Sequence, residues 1–196
     1  MISQTAAEYF TALSDLLRSV QATDNRGTLL PLDEGAKRAV NLILSARAES
    51  GKVMLIGNGG SAAIASHMHN DLCKAANVRA LVFSEPPLLT ALSNDDGYGS
   101  VFERPVELWA MPGDVLLAIS SSGRSENILR AVRKSTERRC EVITLSGFDA
   151  DNPLRRMGVI NFYVPSRVYG HVEVVHSALA HYLTDSAMMS VVRGPH

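Results

Sequence analysis

The stretch GDVLLAISSSGRSEN, residues 113–127, decides the fold. Its apolar run at 115–119 shows no polar alternation, which suits a strand buried on both faces. Ser120-Ser-Ser-Gly-Arg-Ser125 then turns the chain, and Glu126 and Asn127 open a helix. Hydroxyls, free backbone N–H groups at a helix N-terminus and one glycine for close approach are the means by which a protein holds a phosphate without a metal. The same order occurs earlier, where the apolar run 52–56 feeds Gly57-Asn-Gly-Gly-Ser61 and a second helix. Neither loop ends in the Gly-Lys-Ser/Thr of a nucleotide-binding P-loop, and neither is a GxGxxG turn, so a nucleotide is not indicated. In open α/β sheets ligands bind beyond the C-terminal ends of strands, where both loops must lie.

Outward from these two junctions, strands are expected at 79–83, 141–145 and 159–164, and helices at 61–75, 86–94 and 125–137, with a short piece near 152–157. Strands alternating with helices predict an α/β fold, a parallel sheet of about five strands flanked by helices on both faces. Two leading helices precede it. Residues 5–20 place Tyr9, Phe10, Leu13, Leu16, Leu17 and Val20 at helical spacing, and 33–49 do so with Ala36, Val40, Leu42, Ile43 and Ala46. A polar stretch with Asn25, Gly27 and Pro31 separates them, and a last helix is expected over 171–190. With no repeat or linker, 1–196 is read as a single domain.

Composition narrows the class further. Hydrophobic residues at 46% and charged residues at 20% are the balance of an ordinary globular chain. A net charge of -1 offers no excess of cations for a nucleic-acid backbone, so no direct nucleic-acid partner is expected. Cys73 and Cys140 form no CxxC pair and are read as free thiols in a reducing compartment. No apolar run approaches the roughly 20 residues of a membrane span, and Met1 to Arg18 carries Glu8 and Asp15 without the layout of a signal peptide. No membrane partner and a cytoplasmic location are the expectation.

Apart from His196, the histidines fall in two groups, His67 and His69 after the first glycine loop and His171, His176 and His181 in the last helix. His67 and Asp71 are four residues apart and share a helix face, as a metal-ligating pair or an acid/base pair would. Glu173, Ser177 and His181 follow one another at i+4 steps, with His176 off that line. In an unbroken helix Glu173 and His181 stand about 12 Å apart along the axis, a long reach for two ligands of one ion.

The succession GNGGS (57–61), SHMHND (66–71), ALSND (91–95), GDVLLAISSSGRSEN (113–127), EVITLSG (141–147) and VEVVHSALAH (172–181) resembles the phosphoheptose isomerases of the SIS (sugar isomerase) family over nearly the whole chain. The resemblance implies a single SIS domain whose leading helices, within residues 1–50, serve oligomerisation. It implies an aldose–ketose isomerase that interconverts sedoheptulose 7-phosphate and D-glycero-D-manno-heptose 7-phosphate, in a homotetramer with active sites between subunits. By position it assigns Asn58, Gly59, Gly60 and Ser61 to the substrate, Asn94 and Asp95 to its sugar, and Ser120, Ser121, Ser122 and Ser125 mainly to its phosphate. It places His67, Asp71, Glu173 and His181 around Zn²⁺, with Asp71 and His181 as the acid/base groups. Asp71 and Glu173 are also substrate-binding positions, and Glu173 is a second candidate base.

The chain departs from that pattern at four places. Asp71 stands where Glu is usual, Glu173 where Gln is usual, Gly170-His171 where Asp-Arg is common, and Arg124 where Asn is usual. The shorter Asp71 withdraws its oxygens by about one carbon–carbon bond, roughly 1.5 Å. Two rival readings belong to other classes: a non-catalytic SIS adaptor for a replication initiator, and a sugar-phosphate sensor. The adaptor predicts neutral residues at positions 71 and 181, whereas both are ionisable here.

Overall fold

The computed structural model describes residues 5–193; the ends of the expected 1–196 domain, with His196, lie outside the described residues. In chain order the elements are α1 (Ala6–Arg18), β1 (Gln21–Asp24), β2 (Leu29–Leu30), α2 (Leu32–Ala48), β3 (Val53–Gly57), α3 (Gly60–Lys74), β4 (Ala80–Val82) and α4 (Pro86–Asp95). They continue with α5 (Glu103–Trp109), β5 (Val115–Ser120), α6 (Glu126–Glu137), β6 (Glu141–Ser146), β7 (Ile160–Tyr163) and α7 (Tyr169–Arg193). Short 3₁₀ turns lie at Tyr98–Ser100 and Pro153–Arg156.

All seven strands form one sheet in the order β2–β1–β7–β6–β5–β3–β4. The five expected strands are its parallel part, from β4 through β3, β5 and β6 to β7. The polar stretch between the leading helices adds a β1–β2 hairpin, antiparallel within itself and antiparallel to β7, which makes the sheet mixed. Its turn is local chemistry: Asp24 Oδ1 accepts from the backbone of Arg26 and Thr28, and Gly27 takes φ +81°. The 103–109 region, where no helix is expected from the pattern, forms α5. Pro105 is tolerated in its first turn because an N–H there has no helical partner to lose.

The central strands bury both faces, as their unbroken apolar runs require. Val53 and Leu55 of β3, with Val115, Leu117 and Ile119 of β5, join a core under the α2, α3 and α7 side. Met54 and Ile56, with Leu116 and Ala118, join a second core on the α5–α6 side. Each fully buried aliphatic side chain of this kind contributes about 1.5–3 kcal/mol. At the opposite end from the glycine loops, Lys52 and Asp114 form a buried ion pair at 2.5 Å, and Asp114 also accepts from the backbone N–H groups of Lys52 and Met111. Parallel pairing of β3 with β5 sets Gly57 and Ile119 side by side, and this brings the two predicted loops together.

Candidate active site

The first loop leaves β3 at Gly57 and enters α3 through Gly59, whose φ of +53° is the region glycine occupies without strain. The second leaves β5 at Ser120 and enters α6 behind Ser125. Between them is a pocket walled by Asn58 and Ser61 from the first loop, by Ser120, Ser121, Ser122 and Ser125 from the second, and by Tyr169 and Glu173 from α7. The serine loop is partly self-satisfied. Ser120 Oγ accepts from Gly123 N at 3.2 Å and lies 3.3 Å from Ser125 Oγ, and Ser122 Oγ accepts from Arg124 N at 3.2 Å. Ser121 Oγ is buried and has no partner among the described residues. A hydroxyl in that state costs about 1–3 kcal/mol unless a ligand oxygen meets it.

The loop after β6 braces this arrangement. Asn152 donates to the backbone oxygens of Gly147 and Asp149 at 3.2 and 2.8 Å, and its side chain occupies the space a Cβ on Gly123 would need. Arg124 turns away from the serines. Its guanidinium meets Asp151 at 2.9 Å and Asp149 at 4.0 Å, and Arg167 pairs with Asp149 as well.

A second cluster lies further along α3 and α7. His67 Nε2 is 3.3 Å and His181 Nδ1 3.7 Å from Asp71 Oδ2, and the two imidazole rings meet edge to face at 4.8 Å. Asp71 is half-buried, whereas both histidines are exposed. Donor atoms at about 2.0–2.2 Å from a tetrahedral ion stand about 3.3–3.6 Å apart. The three donors, all within 4.8 Å of one another, spread wider than that spacing, so His67, Asp71 and His181 could close on one zinc ion only after a small side-chain adjustment.

Glu173 does not join them. Its carboxyl atoms lie 2.5 Å from where a Cβ on Gly60 would be, at the start of α3, while His181 meets Asp71 near that helix's end. Of the expected four-residue metal set, the structure brings together His67, Asp71 and His181 within one chain and sets Glu173 apart from them. The physical reason is the unbroken helix from Tyr169 to Arg193, in which eight residues advance about 12 Å. The two contacts also show that α3 and α7 run side by side in the same direction.

Asn94 and Asp95 end α4, exposed and bonded to each other at 2.8 Å, and do not line the serine pocket. Tyr98, which no pattern marked, bonds one of its walls instead: its hydroxyl donates to Asn58 Oδ1 at 2.9 Å. Asn127, also unmarked as a site residue, pairs with Asn58 through both carboxamides. The other α7 histidines are structural. His171 is buried with its ring 4.6 Å from that of Tyr9. His176 lies in the core with Nε2 3.1 Å from the oxygen of Ser146, and burial lowers its pKa to about 4 against that bond. Cys73 is exposed and Cys140 buried, both as free thiols, and burial pushes the Cys140 thiol up to about 11.

Among the described residues no helix is long and apolar enough to cross a membrane. Residues 8–147 match the SIS domain family model. The chain is 35% identical over 162 residues to a phosphoheptose isomerase of Helicobacter pylori, covering 79% of this chain and 83% of that one. The structure of a phosphoheptose isomerase from Neisseria gonorrhoeae superposes with a TM-score of 0.81 at 29% identity, over 92% of this chain and 96% of that one. One from Francisella tularensis does so at 0.82 and 26% identity, over 95% and 100%. The chain belongs to the SIS domain family, and within it to the isomerases that these phosphoheptose isomerases represent.

Proposed function

We propose that this sugar-phosphate isomerase interconverts sedoheptulose 7-phosphate and D-glycero-D-manno-heptose 7-phosphate. The observation that carries the reading is one carboxylate, Asp71, set between two imidazoles on the same helix pair that walls an anion pocket. Aldose–ketose exchange needs a base at carbon, an acid for the carbonyl oxygen and a hold on the substrate. Asp71 takes the proton from the carbon beside the carbonyl and returns it to the neighbouring carbon through an enediol, and His181 moves the proton at oxygen. His67, Asp71 and His181 would hold Zn²⁺, which when bound supplies Lewis acidity toward the substrate's oxygens. Ser120, Ser121, Ser122 and Ser125 hold the phosphate, whose binding energy, remote from the reacting carbons, orients them. Glu173, facing the same pocket, accepts from sugar hydroxyls.

A homotetramer with sites between subunits is part of the same proposal, supported by exposed apolar side chains on α1 and α7, among them Phe10, Tyr182 and Met189. The retained acid/base groups favour an enzyme over the adaptor and the sensor. Turnover of five-, six- and seven-carbon ketose phosphates by the purified protein, with and without added Zn²⁺, tests the reading. The seven-carbon substrate should be preferred, and no turnover of any would overturn it.

A further inference from the structure

Asn58 and Asn127 bridge the two loops at the mouth of the anion pocket. Asn58 Nδ2 donates to Asn127 Oδ1 at 3.0 Å, and Asn127 Nδ2 donates to Asn58 Oδ1 at 2.9 Å. The polarity of this pair is fixed from outside it. The backbone N–H of Ile128 can only donate, and it meets the side chain of Asn127 at 3.0 Å, so the atom there is the oxygen. That forces the nitrogen of Asn58 toward Asn127 Oδ1 and its oxygen toward Asn127 Nδ2. Tyr98 completes the set by donating to the second lone pair of Asn58 Oδ1. A carboxamide oxygen has two acceptor sites and its nitrogen two donors. The Asn58 oxygen is therefore saturated, and one N–H remains to it.

We propose that Asn127 and Tyr98 are positioning residues that lock the Asn58 carboxamide with its free N–H, and not its oxygen, turned to the pocket, so that this loop reads an oxygen acceptor of the sugar phosphate. Asn127 is buried and touches the pocket only through Asn58 in this arrangement. Its location in the first turn of α6 ties the orientation of the first loop to the helix N-terminus that serves the second. The ligand rests on the function proposed above, but the hydrogen-bond polarity does not.

The test is calorimetric titration of the full chain with sedoheptulose 7-phosphate in a mutant cycle. Asn127→Leu removes the reciprocal partner, Tyr98→Phe removes one donor from an exposed side chain, and Asn58→Ala removes the group both are said to orient. Asn127→Leu should weaken binding about tenfold and Tyr98→Phe about threefold, the range of one well-placed hydrogen bond. In the Asn58→Ala background neither should alter affinity by more than about twofold, because their effect passes through Asn58. Equal losses in both backgrounds, or no loss beside Asn58, would overturn the proposal. If Asn127→Leu does not fold, Tyr98→Phe carries the same cycle. If the unsubstituted protein does not bind the sugar phosphate, the functional reading fails, and the positioning is then decided by solvent exchange of the Asn58 carboxamide protons in NMR. Tyr98→Phe should speed that exchange severalfold, and unchanged exchange would refute the lock.

Discussion

The carboxyl group of Glu173 rests against Gly60 at the start of α3, its atoms 2.5 Å from where a Cβ would stand. A carboxylate there faces the positive end of a 15-residue helix and takes advantage of its dipole. It is also separated from the His67–Asp71–His181 cluster by the length of two helical turns. Glu173→Ala should therefore leave zinc affinity within about threefold, whereas His67→Ala or His181→Ala, each removing a proposed ligand, should lower it by at least the 10–100-fold typical of even outer-shell changes. Zinc content after dialysis against a graded chelator measures both, and a Glu173→Ala protein as depleted as His181→Ala would return Glu173 to the ligand set.

Asp71→Asn removes a charge and a base with almost no change of volume. Turnover should fall by about 10²–10⁴, the contribution of a positioned general base. Far-ultraviolet circular dichroism and sedimentation should stay as in the parent, because Asp71 is only half-buried and its side-chain partners, His67, His181 and Asn70, are all exposed. Retention of full turnover would remove Asp71 from the chemistry.

Ser121 separates binding from stability. Its buried hydroxyl meets no partner among the described residues, so Ser121→Ala should leave the melting temperature unchanged or raise it, by the equivalent of about 1 kcal/mol. The same change should weaken sugar-phosphate binding by about ten- to a hundredfold, since a hydrogen bond to a charged oxygen is worth about 1.5–3 kcal/mol. Thermal melts paired with calorimetric titration check the two signs, and a destabilised variant with intact affinity would assign Ser121 to the fold alone.

The parallel part of the sheet and both loops were legible because their signals are local. An unbroken apolar run followed by glycine or serine and a helix start needs no knowledge of the rest of the chain. The β1–β2 hairpin was not, since four and two residues are too few to show a period and its turn residues read equally well as a linker. The His67–Asp71–His181 cluster was half legible: His67 and Asp71 share a helix face, but His181 arrives from 110 positions away through the packing of α7 on α3, and only the family resemblance pointed to it. The same resemblance also carried Glu173 into that set, and the straightness of α7 places it at the start of α3, apart from the other three within one chain. Tyr98 and Asn127 escaped because they act on Asn58 through tertiary hydrogen bonds with no spacing to betray them.

His176 supplies the last prediction, on pH. Its ring is fully enclosed, with one nitrogen on the Ser146 oxygen and Nδ1 without a partner among the described residues. Burial lowers its pKa from 6.5 to about 4, outweighing the bond to Ser146. Between those values the unfolded chain binds a proton at this position that the folded chain refuses, so stability rises with pH across the window and falls as the solution is acidified through it. At about 1.4 kcal/mol per pH unit, the loss from this one group approaches about 3 kcal/mol by pH 4. His176→Phe or His176→Leu abolishes that slope, although either loses the Ser146 bond and is less stable at neutral pH. Urea melts of parent and variant at pH 7.5, 6 and 5 read the difference: the gap between them should narrow toward acid. A gap that stays constant over that range would mean that His176 is reached by protons in the folded protein.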